Sequence, residues 1–184
     1  LDLGVSSGLM SAGFQTSTLW QVEKNDFARR ILARHWPNSQ RFTDVRTISA
    51  STVPPVDLLL GGFPCQDISV LGTGSGLEGS QSGLFFEMHR IVCEIRPRIW
   101  IMENVPAIAS GKRGLDTILG KVASIGYSAK WGMLRADDPM VGAPHKRERW
   151  FCVAFVADSD CWDGYRRSDG TCRENPTGED SRGE

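Results

Sequence analysis

The stretch that most constrains this chain runs from Pro54 to Ser69, "PPVDLLLGGFPCQDIS". An apolar run bounded by Pro54 and Pro55 on one side and by Gly61, Gly62 and Pro64 on the other reads as a short interior strand that stops sharply. Cys65 then falls on a loop at the carboxyl end of that strand. In open α/β sheets such loops bind ligands and carry chemistry. A free cysteine is otherwise most often a small buried hydrophobe, so position alone leaves both readings open.

Around this strand the pattern alternates. "TLWQVE" (18–23) reads as a strand. "DFARRILARHW" (26–36) reads as a helix, with Phe27, Ile31 and Arg34 on neighbouring turns and Pro37 ending it. In "GLFFEMHRIVCEI" (83–95), Leu84, Met88, Ile91, Val92 and Ile95 fall at helical spacing before Pro97. A strand (98–104), a helix (115–126) and two further strands (128–134 and 149–157) follow. The alternation predicts an α/β fold, a mostly parallel sheet with an antiparallel edge. Residues 70–83, rich in Gly and Ser, form a loop long enough to act as a lid over the thiol.

A chain of 184 residues, 40% of them hydrophobic, can bury one core. One domain is expected over residues 1–157. Residues 158–184 are polar and aperiodic, and are read as disordered or as the start of a missing variable region. No run is long and apolar enough to cross a membrane, and no secretory signal is expected. The chain opens at Leu1 without a methionine, so a preceding segment is expected. Five cysteines, at 65, 93, 152, 161 and 172, lack paired metal-ligand spacing, which fits a reduced, cytoplasmic protein. The three histidines are scattered, so no metal site is expected. A formal charge of −1 gives no global attraction to nucleic acid. The basic run "HKRER" (145–149) is either a local contact or an ordinary solvated face.

If the strands are parallel, Glu23, Cys65 and Glu103 with Asn104 meet at one edge of the sheet. An acid at a strand end can hold ribose hydroxyls, though Glu23 is equally readable as a surface glutamate. Glu103 directly follows a buried strand, where a carboxylate needs a partner. A thiol that adds to an electron-poor ring, with a carboxylic acid that hydrogen-bonds or protonates a ring nitrogen, is a coherent pair.

Three blocks, "GGFPCQDIS", "MENV" and "GAPHKRERWF", occur in that order, and their spacing resembles the DNA (cytosine-5)-methyltransferase family over residues 1–157. The resemblance implies a Rossmann-like, S-adenosylmethionine-dependent methyltransferase fold, here incomplete. It implies methyl transfer to C5 of a cytosine flipped out of double-stranded DNA, through a covalent cysteine adduct at C6. Cys65 corresponds to the nucleophile, Glu103 to the carboxyl group that engages N3 and the exocyclic amino group, and Arg149 to the arginine at O2. Glu23 resembles the ribose-binding acid of the cofactor site, Asp44 the residue that reads adenine, and Phe63 and Leu84 its walls. Gln66 and Ser69 fall in the DNA-contacting catalytic loop, and Arg147 in a DNA-supporting segment. A thiol titrates near ~8.5 unless a cation or helix terminus assists it, and Arg149 is one such cation.

His145 stands where the family usually has glutamine. The family's first strand and glycine-rich loop, and its late blocks and target-recognition region, have no counterpart here. The resemblance therefore implies a piece that binds cofactor feebly and is inactive alone, from a bacterial or phage enzyme with or without a cognate restriction endonuclease. A non-catalytic DNA-binding relic of the same fold is the alternative. A cysteine hydrolase would need a histidine at the strand ends to activate the thiol, and the sequence offers none there.

Overall fold

The computed structural model describes residues 1–64, 83–110 and 114–156. Cys65, Gln66, Ser69, nearly all of the Gly/Ser-rich loop and the polar tail lie outside them. Helix α1 (Asp2–Ser11) precedes β1 (Trp20–Val22), α2 (Asp26–His35) and β2 (Gln40–Phe42). After a 3-10 turn (Val45–Thr47) come β3 (Leu58–Gly62), α3 (Gly83–Ile95), β4 (Ile99–Asn104), α4 (Ala107–Ser110), α5 (Gly114–Ser124), β5 (Tyr127–Arg135) and β6 (Glu148–Val156).

Local chemistry accounts for the helix ends. The Asn25 side chain accepts from Ala28 N at 3.0 Å, capping α2, and Arg34 and His35 in its last turn complement the negative end of the helix dipole. Helix α3 stops where Arg96 takes a left-handed φ of 56° and Pro97 follows. A bulky residue rarely adopts that conformation. Arg96 is anchored there by donating to Ile125 O at 2.8 Å and by lying 5.0 Å over the Tyr127 ring.

β1 and β2 pair in parallel, with Trp20 opposite Gln40. The second sheet has the order β3-β4-β6-β5. β3 and β4 are parallel, while β6 is antiparallel to both of its neighbours. So β3, β4 and β5 point one way and β6 returns between them, which is the parallel sheet with an antiparallel edge that the sequence predicts.

Alternation divides the larger sheet into two faces. Leu59, Trp100, Met102, Trp150, Cys152 and Ala154 share one face and are buried. Helix α3 packs on it, with Phe85 stacked on Trp100 at 6.0 Å, and Ile118 and Val122 of α5 join the same core. Gly62, Glu103, Arg149, Phe151 and Val153 share the other face, none of them buried. The smaller sheet meets this body through Trp20, whose Nε1 donates to Pro54 O at 3.2 Å.

Helix α1, β2 and the short α4 were not anticipated in the sequence. Cys152 is free and buried.

Candidate active site

The site is built where β3 and β4 end together. Their register sets Gly62 opposite Glu103, and the β4–β6 register sets Glu103 opposite Phe151. Arg149 lies two residues from Phe151 along β6, so its side chain rises on the same face, diagonal to Glu103. Arg149 Nε stands 3.0 Å from Glu103 Oε1, with both side chains about a quarter exposed, 26% and 29%. Arg149 Nη1 also donates to Glu148 O at 2.8 Å. The partner that a carboxylate at the end of a buried strand requires is thus Arg149.

Asn104 follows on the opposite face and is 4% exposed. Its Nδ2 donates to Phe63 O at 3.0 Å, and its Oδ1 accepts from Val105 N at 2.8 Å. This side chain ties the end of β4 to the backbone two residues before Cys65. Sequence reasoning placed Asn104 at the strand end but gave it no task. A polar residue in register with Trp100 and Met102 was the available signal.

The other residues singled out in the sequence are placed as follows. Glu23 immediately follows β1, and its Oε1 accepts from Asn25 N at 2.7 Å. Asp44 lies just beyond β2, where its Oδ1 accepts from Arg46 N at 3.0 Å. Two carboxylates therefore stand past the carboxyl ends of adjacent parallel strands. Phe63 is 5% exposed, its ring 5.3 Å from that of Phe85. Leu84 is half-buried in the first turn of α3. Arg147 is exposed, and its carbonyl accepts from Ala136 N at 2.8 Å across the base of the β5–β6 hairpin.

Cys152 is a poor nucleophile. Burial pushes its thiol up from 9.0 to about 11, so it stays protonated and unreactive at neutral pH. The Glu103–Arg149 pair instead presents an acceptor beside a donor. That pattern suits a planar ring edge with an amino group at one end and a carbonyl oxygen at the other. Among the described residues no group of three or more His, Cys, Asp or Glu is placed to hold a metal ion. No described helix is long and apolar enough to cross a membrane.

Comparison with known proteins bears on this geometry. A family model described as C-5 cytosine-specific DNA methylase matches residues 3–177. The chain is 36% identical over 156 residues to Type II methyltransferase M.CviJI of Paramecium bursaria Chlorella virus IL3A, covering 84% of this chain and 41% of that one. It is 30% identical over 160 residues to Type II methyltransferase M.NgoBI of Neisseria gonorrhoeae, covering 84% and 50%. The chain thus spans about half the length, or less, of these curated relatives. In fold it is similar to the S. pombe Dnmt2 methyltransferase, with a TM-score of 0.66 at 18% identity over 85% of this chain and 48% of that one.

Proposed function

The chain belongs to the C-5 cytosine-specific DNA methylase family, and from that premise we propose that the whole protein methylates C5 of a cytosine flipped out of double-stranded DNA. The observation that carries the reading is the Glu103–Arg149 pair, 3.0 Å apart at the end of the strand beside the one that leads into Cys65. A cytosine edge offers an amino group, a ring nitrogen and a carbonyl oxygen in a row. Glu103 is matched to the first two and Arg149 to the last. Neither face of a stacked base is open to attack, so the base must leave the helix before chemistry begins.

The Cys65 thiolate adds to C6, forming a C–S bond and making C5 enamine-like, while Glu103 holds N3 as charge moves onto the ring. Once C5 carries the methyl group, loss of its proton and of the Cys65 sulfur restores the aromatic ring. S-adenosylmethionine would supply the electrophilic methyl group. The residues present fit its nucleoside part. Glu23 and Asp44 stand past the ends of parallel strands, where carboxylate oxygens accept from hydroxyl and amino groups. One oxygen of Glu23 accepts from Asn25 N, and its second oxygen would be the acceptor for a ribose hydroxyl.

The names of the relatives, Type II methyltransferases, suggest a modification enzyme whose biological partner is a cognate restriction endonuclease. Gln66, Ser69 and Arg147 are assigned to DNA contacts within this reading. The test is a covalent trap. DNA with 5-fluorocytosine at the target blocks release, because fluorine at C5 cannot leave as a proton does. The full-length protein should then form a denaturant-resistant adduct that Cys65→Ala does not form. Equal trapping by Cys65→Ala would remove Cys65 from the role of nucleophile.

A further inference from the structure

We infer that Gly62 is a positioning residue for Glu103: the missing side chain at the end of β3 leaves the space in which the Glu103 carboxylate lies. The inference rests on the reading of Glu103 given above. A Cβ at position 62 would stand 3.1 Å from Glu103 Oε2 and 3.4 Å from Glu103 O. The approach to the backbone oxygen is ordinary contact, while the approach to Oε2 requires that carboxylate to shift by a few tenths of an ångström. The backbone oxygen belongs to β4, which pairs on both sides, and the other carboxylate oxygen is held 3.0 Å from Arg149 Nε.

Conformation does not explain the glycine, because the positive-φ glycines among the described residues are Gly13, Gly126 and Gly142. Space does. A glycine in a strand commonly marks a close approach by another group, and here that group is a carboxylate. Gly61 is the internal contrast. Its added Cβ would point to the opposite face and meet Met88 Cε at 2.5 Å, the far end of a flexible side chain in the core. The two adjacent glycines thus serve different faces, Gly61 packing and Gly62 the carboxylate.

The experiment is a double-mutant cycle in the full-length protein, comparing Gly62→Ala, Glu103→Asp and the double variant for kcat, KM for DNA and thermal midpoint. A displacement of a few tenths of an ångström at a reacting group should lower kcat by about tenfold for Gly62→Ala, with KM for DNA little changed. Aspartate draws the carboxylate back by one methylene, clear of a methyl at 62. In the Glu103→Asp background the added alanine should therefore cost less than about threefold more, because residues in contact are not additive. Gly61→Ala should lower the thermal midpoint and show no such coupling to Glu103.

An equal fold-loss from Gly62→Ala in both backgrounds would overturn the inference while leaving the role of Glu103 intact. If Gly62→Ala fails to fold, recovery of folding in the double variant supports the contact, and failure of both overturns it. Wild-type kcat in Glu103→Asp alone would instead remove Glu103 from the chemistry, and the inference would fall with it.

Discussion

The two faces of the four-stranded sheet are made by the same strands, one residue apart, yet they are held by different physics. On the face under α3 and α5, Trp100, Met102, Trp150 and Cys152 are fully buried and make dispersion contacts and little else. On the other face, Glu103 and Arg149 keep about a quarter of their side-chain surface in solvent and are joined by charge. Apolar burial is concentrated where water is excluded, and the charged pair stands where solvent still reaches a donor and an acceptor. A one-residue slip in β4 would exchange the two sets, so register is under constraint from both sides.

This contrast can be tested. The largest effect is expected for Glu103→Gln in the full-length protein. Glutamine keeps the shape but cannot deliver a proton, so the methylation rate should fall by on the order of 10²- to 10⁴-fold. Cofactor affinity and thermal midpoint should scarcely move, since a partly exposed ion pair contributes only about 0–1 kcal/mol. Loss of cofactor binding with an intact chemical step would reverse the roles given to Glu23 and Glu103. Trp100→Ala should do the opposite, costing about 3–5 kcal/mol in chemical denaturation while leaving the activity per folded molecule nearly unchanged. A comparable loss of rate in the folded fraction would show that the faces are not separable.

A smaller effect is expected at Tyr127, whose hydroxyl donates to Pro97 O at 2.5 Å. Burial pushes this phenol up from 10.0 to about 12, opposed by the Arg96 charge. The folded state therefore holds the proton more tightly than the unfolded chain. That contribution is whole below pH 10 and is lost as pH rises from 10 toward 12. Tyr127→Phe should cost about 1 kcal/mol at neutral pH and flatten the alkaline decline, as urea titrations at pH 8 and pH 11 would reveal. The smallest effect is at Cys152. Its raised, buried thiol should resist alkylation in the native protein at pH 7 and react only on unfolding, as mass spectrometry of the labelled peptide can show.

The elements with strong period were legible in the sequence. Helix α3 runs from Gly83 to Ile95, as Leu84, Met88 and Ile91 at helical spacing predict, and β4 follows its alternation of buried and open residues. Helix α1 was missed because Gly4 and Gly8 interrupt it and it has no apolar stripe, and it buries no residue. β2 was missed because three residues, two of them polar, carry no readable alternation. For the site, sequence reasoning required a partner for Glu103 but did not pair it with Arg149. That pairing depends on β6 returning between β4 and β5, a long-range register that local pattern does not encode. Phe63 is core as well as a candidate pocket wall, a distinction set by Phe85 across the helix interface.

The return of β6 between β4 and β5 has a consequence for the order of events during synthesis. β3 and β4 can associate as soon as the helix between them has formed, but β5 has no place beside β4 and must wait for β6. Glu103 therefore leaves the ribosome well before Arg149, and the cost of closing the intervening loop is met only when the β5–β6 hairpin docks. Until then β4 has an open edge, available to other chains. The Glu103–Arg149 contact therefore forms only after the β5–β6 hairpin has docked on β4.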